Sequence, residues 1–382
     1  LLYNNSHSLL TMENRVKVFH NGKDKFDSLL KDISEAKSFI HLEYFIWYSH
    51  DALGRNLHDL LVKKAREGVE IKILYDYSGC RFTLRQSYIR SLRKEGIQIF
   101  PFFNYLTPFK FHTLNYRNHR KIVVIDGTIA YTGGMNVGQE YIDGGKKYDL
   151  WRDTHMRLEG ECVNILQAIF AIDWYNTVHK DDIFDVKYTP FLPEKVVFKG
   201  DLPVQFPTSG YDSPWPAILH LYFVMITMAQ KNITIVSPYF IPENSLLVAL
   251  RTAAMRGVKV TVLMTGVPDN PLPYWAAFSY FEEVLKSGVR IFQYQKGFMH
   301  AKMFTMDERI CSIGTANFDI RSLKLNYEVN AVFYHADLTK ETDAQIQKDL
   351  EGSKEITLAD LNQINLWGRL RNSLMRLFSP LL

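Results

Sequence analysis

Two stretches of this chain carry, in the same order, the residue types that phosphoryl chemistry uses. The first is Asn118-His119-Arg120-Lys121-Ile122-Val123-Val124-Ile125-Asp126-Gly127, and the second is Met299-His300-Ala301-Lys302-Met303-Phe304-Thr305-Met306-Asp307. Each reads His, then Lys two residues on, then Asp five beyond that. Each runs on to a Gly-x-x-Asn, Gly133-Gly134-Met135-Asn136 in one and Gly314-Thr315-Ala316-Asn317 in the other. The offsets 300 − 119, 307 − 126 and 317 − 136 all equal 181. One His-x-Lys is ordinarily a structural histidine; two with the same trailing Asp and Asn are a repeat.

Displacement at a phosphodiester is in-line, so nucleophile and leaving oxygen occupy opposite sides of phosphorus. A pair of histidines suits that geometry, one attacking phosphorus while the other, as imidazolium, protonates the departing alkoxide. Lys121 and Lys302 can neutralise the anionic diester, and Asn136 and Asn317 can donate to its non-bridging oxygens. This set calls for no metal and no cofactor. Asp126 and Asp307 complete the motif, but their place at turns makes them structural partners of backbone or basic groups.

The apolar residues around each His-x-Lys are β-formers, which predicts His and Lys on one face of a strand. Asp126-Gly127 and Asp307-Glu308 then predict tight turns into a strand that ends at the Gly-x-x-Asn. Upstream, a helix with Phe26, Leu29, Leu30 and Ile33 on one face precedes a strand predicted from Phe39 to Trp47. A helix with Leu57, Leu60, Leu61 and Ala65 stops at Gly68 before the strand Val69–Tyr75, and another closes at Gly96 before Ile97–Phe100. The second half repeats this order: Asn232–Phe240, then Arg256-Gly257-Val258 into Val262-Leu263, then Ser287-Gly288-Val289 into Phe292. Alternating strands and helices predict α/β architecture. The prediction is two repeated α/β domains, 1–200 and 201–382, each a mixed sheet flanked by helices, pseudo-twofold related with the active site at their interface.

After each Gly-x-x-Asn comes one more predicted strand, Trp151–Leu158 and Asn326–Phe333. Aligned by their apolar stretches, Asp153 matches Glu328, and each is placed to hydrogen-bond the far nitrogen of its own histidine. The alternative is a surface acid on an edge strand. Arg117 and Arg120, beside the first motif, are candidates for binding a substrate phosphate, or equally for solvated or ion-paired positions. Tyr44 and Tyr239, at strand ends taken as equivalent, are candidate pocket residues, with core packing the plainer reading. His41, His58, His112, His155, His179 and His220 show no metal-ligand spacing and are read as structural. Residues 161–178 predict a helix, and the Asp- and Pro-rich stretch Lys180–Pro207 a connection. The tail keeps helical spacing through Leu361, Ile364, Trp367, Leu370, Leu374 and Phe378, with Arg369, Arg371 and Arg376 interleaved. Such a helix can lie on a membrane surface with its arginines drawn to anionic lipid, or pack its apolar face on the domain.

A net charge of +4 on 382 residues argues against a protein held to bulk nucleic acid by a large positive field. Three scattered cysteines, Cys80, Cys162 and Cys311, give no disulfide framework and fit a reducing compartment. The longest dense apolar run, Ala217–Ala229, falls short of the roughly 20 residues a spanning helix needs. The chain opens on Leu1-Leu2-Tyr3, which leaves room for an upstream membrane anchor.

At the doubled His-x-Lys-x(4)-Asp and Gly-x-x-Asn the chain resembles the phospholipase D superfamily. More narrowly it is similar to the bacterial cardiolipin synthases, in Leu114–Lys121, Tyr131–Asn136, Trp151–His155, Ser237–Pro242 and the terminal Arg376–Leu382. The resemblance covers nearly the whole chain. It implies phosphatidyl transfer from one phosphatidylglycerol to another, releasing glycerol, through a phosphatidyl-histidine on His119, with His300 as acid and then base. It further implies anionic phospholipid (phosphatidylglycerol, cardiolipin) and a membrane surface as partners, no nucleic acid, and catalytic domains on the cytoplasmic side of a bacterial cell membrane. Many members carry hydrophobic N-terminal segments, which these residues do not contain. Hydrolysis of the same bond in phospholipid or nucleic acid is the rival chemistry; a binding module without catalysis fits poorly with intact motifs in both halves.

Overall fold

The computed structural model describes residues 1–103, 115–179, 181–184 and 200–379. His112, Leu114, most of the predicted connection and the terminal Pro380-Leu381-Leu382 lie outside the described residues. The chain packs as two compact units. One comprises Leu9–Lys146 and Asp153–Phe206; the other comprises Leu1–Ser8, Lys147–Arg152 and Pro207–Leu382.

The first unit is built on strands Asn14–Phe19 (β1), Phe39–Tyr44 (β2), Glu70–Asp76 (β3), Gln98–Phe102 (β4), Ile122–Ile125 (β5) and Ile129–Gly133 (β6). Past the two-residue strand Trp151–Arg152 (β7), which belongs to the other unit, it is completed by His155–Gly160 (β8). The sheet order is β1-β8-β6-β5-β2-β3-β4, with β2, β3 and β4 parallel and the remaining pairs antiparallel. Strands β2 and β3 are buried almost throughout, and they carry His41, Glu43, Lys72 and Asp76 into the interior along with their apolar residues. Leu57 and Leu61 of the Ala52–Arg66 helix and Leu29 and Ile33 of the Gly22–Glu35 helix are fully buried, each contributing about 1.5–3 kcal/mol by leaving water.

The second unit contains Thr208–Ser209 (β9), Asn232–Val236 (β10), Lys259–Thr265 (β11), Arg290–Tyr294 (β12), Phe298–Met299 (β13), Met303–Met306 (β14), Ile310–Gly314 (β15), Glu328–Phe333 (β16) and Ser353–Ile356 (β17). Along its sheet the order is β9-β16-β15-β14-β10-β11-β12-β17. The run β16-β15-β14-β10-β11-β12 repeats β8-β6-β5-β2-β3-β4 strand for strand.

Each motif Asp explains its own hairpin. Asp126 and Asp307 turn the chain with positive φ of 49° and 52°, a conformation Asp tolerates better than most residues. The Asp126 carboxylate accepts the backbone N–H groups of Lys37, Ser38 and Phe39 at 2.8, 2.7 and 2.9 Å, and so ties the hairpin to the start of β2. Asp307 does the same for Gln230, Lys231 and Asn232 at 2.9, 2.7 and 3.0 Å. Burial alone would raise the Asp307 pKa, but these three donors outweigh it and hold it below the usual value.

Three expectations are revised. The predicted strand Trp151–Leu158 is two elements: β7 pairs in parallel with β13 in the second unit, and β8 joins the first sheet. The strands at the motifs begin one residue after each Lys, so His and Lys lie on the approach to the strand rather than on it. Tyr44 and Tyr239 are not equivalent. Ile40 faces Ile125 and Ile233 faces Met306, which makes 233 − 40 = 193 the offset here and Ser237 the counterpart of Tyr44.

Candidate active site

Both lysines fold back on their own motif. Lys121 Nζ donates to the His119 carbonyl at 2.6 Å, and Lys302 Nζ donates likewise to the His300 carbonyl. Both are almost wholly buried, so each unit carries a cation locked against its histidine backbone. His119 is 7% exposed, with the Phe45 ring edge-on at 4.9 Å. Its neighbours fix the segment from below. The Asn118 N–H donates to Asp76 at 2.8 Å, the Asn118 amide to Glu43, and the Arg120 guanidinium to Asp173. Burial pushes Asp76 up to about 6 against the pull of the Gly79 and Asn118 N–H groups. Burial and Asp173 together raise Glu43 well above the carboxylate range.

His300 is held by a different device. β7 lies parallel to β13, and the His300 N–H donates to the Arg152 carbonyl at 2.7 Å. Trp151 and Phe298 flank its ring at 5.5 and 5.6 Å. Arg152, 4% exposed, is ion-paired with Asp349: its Nε donates to both carboxylate oxygens at 3.0 Å, and its NH2 lies 2.8 Å from Oδ2.

Register fixes the carboxylates. Gly133 faces His155 in one sheet and Gly314 faces Asn330 in the other, so the residues two places earlier, Asp153 and Glu328, are counterparts; both are fully buried. Each is fitted to the Gly-x-x-Asn turn. A Cβ on Gly134 would lie 2.1 Å from Asp153 Oδ1. In the second unit that position is Thr315, whose hydroxyl donates to Glu328 Oε2 at 2.5 Å. Asn136 accepts from the Ile46 N–H at 3.1 Å and donates to the Tyr141 hydroxyl at 2.9 Å, while the Asn317 side chain hydrogen-bonds Asp319.

His155 and Asn330 are working residues that sequence reasoning left as ordinary positions. His155 Nδ1 accepts from the Met135 N–H at 3.3 Å, and Asn330 Oδ1 accepts from the Ala316 N–H at 3.2 Å, so each braces its turn from the same register position. Burial drives the His155 pKa well below the ordinary value, with Lys25 and Lys121 adding to the effect, and the ring stays neutral. The sequence signal was there: 155 − 153 equals 330 − 328.

The four substrate-binding candidates divide. Arg120 is buried on Asp173, the ion-paired alternative, so its charge is spent inside the unit. Arg117 is partly exposed, donates to the Tyr116 carbonyl at 2.7 Å, and its charge acts on Asp76. Tyr44 is a core residue whose hydroxyl accepts from Lys25 Nζ at 3.2 Å. Tyr239, partly exposed, donates to the Asp269 carboxylate at 2.7 Å. Among the described residues no group of three or more His, Cys, Asp or Glu is placed to hold a metal ion, and no helix is long and apolar enough to cross a membrane.

Comparison with known proteins decides the family. The model of the cardiolipin synthase, phospholipase D-like domain matches residues 29–174 and 222–350, one copy on each half. The chain belongs to this family. It is 43% identical to the major cardiolipin synthase ClsA of Bacillus subtilis (strain 168), over 100% of this chain and 78% of that protein. It is 42% identical to the cardiolipin synthase of Staphylococcus aureus (strain Mu50 / ATCC 700699), over 100% of this chain and 76% of the relative. Among solved structures, phosphatidylserine synthase of Haemophilus influenzae Rd KW20 superposes with a TM-score of 0.75 at 16% identity, covering 100% of this chain and 99% of that one. At that identity the likeness is one of fold. The two-unit architecture of the family is therefore the architecture seen here.

Proposed function

We propose that this chain is a cardiolipin synthase that transfers a phosphatidyl group between two phosphatidylglycerol molecules through a phosphatidyl-histidine. The observation that supports this most directly is identity above 40% along the whole chain with curated cardiolipin synthases, with both His/Lys/Asn sets intact.

The His119 imidazole attacks phosphorus of the first lipid and forms a P–N bond. The P–O bond to the glycerol headgroup breaks, and the His300 imidazolium gives its proton to that oxygen, so glycerol leaves neutral. His300, now neutral, takes the proton from a headgroup hydroxyl of the second phosphatidylglycerol. That oxygen attacks phosphorus, the P–N bond breaks, and cardiolipin departs with both imidazoles restored. The Lys121 and Lys302 ammonium groups, each held by a donation to a histidine carbonyl, bring positive charge to the non-bridging oxygens. Asn136 and Asn317 supply further donors there, and Asp153 and Glu328 orient the rings. Charge a metal would otherwise provide is present in these side chains.

The working surface is an anionic lipid membrane, with the catalytic units on its cytoplasmic side. Support comes from the Leu366–Leu377 helix, which wears its amphipathicity outward. Leu366, Trp367, Leu370, Leu374, Leu377 and Phe378 are 46–80% exposed. Arg369, Arg371 and Arg376 are exposed as well, with Arg371 over the Trp275 ring at 4.4 Å and Arg376 over Tyr280 at 4.5 Å. The helix thus presents apolar side chains and exposed arginines together, the pairing that suits an anionic lipid surface.

The test is product analysis with phosphatidylglycerol vesicles. Cardiolipin and glycerol in equal amounts support the proposal; phosphatidic acid and glycerol, with no cardiolipin, overturn it in favour of hydrolysis.

A further inference from the structure

Each unit buries an arginine beside its motif histidine, and each arginine meets an aspartate on the helix that follows β8 or β16. In the first unit the arginine is Arg120, the residue next to His119, and its partner is Asp173 on the Cys162–Val178 helix. In the second it is Arg152, whose carbonyl accepts from the His300 N–H at 2.7 Å, and its partner is Asp349 on the Ala336–Glu351 helix. All four side chains are buried.

The two aspartates hold the same place. The difference 349 − 173 is 176, and the same step carries Leu338, Thr339, Thr342 and Ile346 back to Cys162, Val163, Leu166 and Phe170. Every buried position of the later helix thus falls on a buried position of the earlier one. The arginines do not hold the same place. The counterpart of Arg120 is Ala301, fully buried, with no group that could reach a carboxylate. Asp349 without an arginine would be a buried charge without a partner, which is strongly unfavourable. The second unit draws the cation from elsewhere in the chain. Trp151–Arg152 pairs in parallel with Phe298–Met299, and this pairing delivers the guanidinium to Asp349, where Nε donates to both carboxylate oxygens at 3.0 Å. Lys147 and Tyr148 hold the start of the same segment: Lys147 Nζ donates to the Pro268 and Asp269 carbonyls at 3.0 Å, and the Tyr148 ring stacks on Phe298 at 5.1 Å.

What the ion pair controls differs accordingly. Arg120 is bonded directly to His119, so its pair fixes the backbone at the histidine itself. Arg152 reaches His300 through its carbonyl, and its neighbour Trp151 lies 5.5 Å from the His300 ring. Loss of Asp349 releases the Arg152 end of the segment, and with it both the carbonyl and the indole that set His300. We propose that Asp349 is a positioning residue for the acid: through Arg152 it holds His300 where the ring can protonate the departing oxygen, as Asp173 holds His119 through Arg120. This rests on the assignment of His300 as the acid and adds the remote residue on which its placement depends.

The test varies the leaving group. Glycerol departs as an alkoxide that needs a proton, whereas the p-nitrophenyl ester of phosphatidic acid releases a stable phenolate that needs none. First-turnover release is measured for each substrate in vesicles, by rapid quench for glycerol and by absorbance for nitrophenolate. Asp349→Asn should slow glycerol release at least about tenfold while nitrophenolate release stays within about twofold of wild type. Asp173→Asn, on the nucleophile's side, should slow both. Equal slowing of the two by Asp349→Asn would show general structural damage, and no slowing of either would show that His300 does not depend on the pair; each overturns the proposal. Removing one partner of a buried pair can unfold a protein, so Arg152→Met with Asp349→Leu, which leaves no orphaned charge, is measured alongside and should show the same selective loss. His300→Ala separates the proposal from its premise. Selective loss there but in neither Asp349 variant sinks the positioning role alone; equal loss there sinks the acid assignment, and the positioning role with it.

Discussion

The motif aspartates offer a sharp test of whether a signature residue is chemical or structural. Asp307 accepts three consecutive N–H groups at 2.7–3.0 Å and sits at φ 52°. In Asp307→Asn the side chain keeps one oxygen, which can still serve Lys231 and Asn232, but its NH2 faces the Gln230 N–H, donor against donor. One bond and the charge assistance are lost, about 1–1.5 kcal/mol at this half-exposed place. Asp307→Ala loses all three bonds and puts a residue with no local hydrogen bond in the left-handed region, which adds roughly 1 kcal/mol, for about 3 in total. Hydrogen exchange at the amides of residues 230–232 reads this directly, with protection falling roughly tenfold for Asn and over a hundredfold for Ala. Because the folded carboxyl pKa is depressed, its contribution is present above the usual value of about 3.9 and fades as pH falls through the lower folded value. The gap between wild type and Asp307→Ala should therefore close below about pH 4. Turnover of folded variant should drop only a few-fold. A loss of about a hundredfold in turnover with unchanged protection would refute the structural account.

Two further outcomes follow from the geometry. Gly134→Ala puts a carbon 2.1 Å from Asp153 Oδ1 and forces that carboxylate out of place, so kcat should fall at least about tenfold with KM little changed; wild-type kcat would show that the position of Asp153 does not matter. Trp367→Ser with Leu370→Ser, at side chains 78% and 49% exposed, should weaken vesicle binding about tenfold per residue, equally on neutral and anionic lipid; loss confined to anionic vesicles would mean that charge, not apolar contact, holds the surface. Point variants are preferable to deletion, because Ser379 accepts from Tyr280 and Asn372 is buried, so the helix also covers its own unit.

The repeat, the alternation of strands with helices and the pairing of Asp153 with Glu328 were legible because they rest on residue types at fixed spacing. Placement of Tyr44 beside Tyr239 failed, since loops between β2 and β5 differ in length from those between β10 and β14. The offset changes from 193 to 181 along the unit, and only register reveals where. The excursion of Trp151 and Arg152 into the second unit carries no periodicity signal, because two residues make no pattern. Lys25 sits among Lys23, Asp24 and Asp27 and looks like any solvated face until the helix is docked. The tail showed its amphipathic spacing but left open whether the stripe faces a membrane or the domain; the apolar side chains are exposed, while Arg371 and Arg376 rest over Trp275 and Tyr280.

The central claim is a covalent phosphatidyl-enzyme on one particular residue. Rapid acid-free quench of wild-type enzyme turning over phosphatidylglycerol labelled at phosphorus, followed by peptide mapping, should find acid-labile label on His119 and none in His119→Ala. Label on His300 instead, or no label on either histidine in an enzyme shown to be forming cardiolipin, would contradict it.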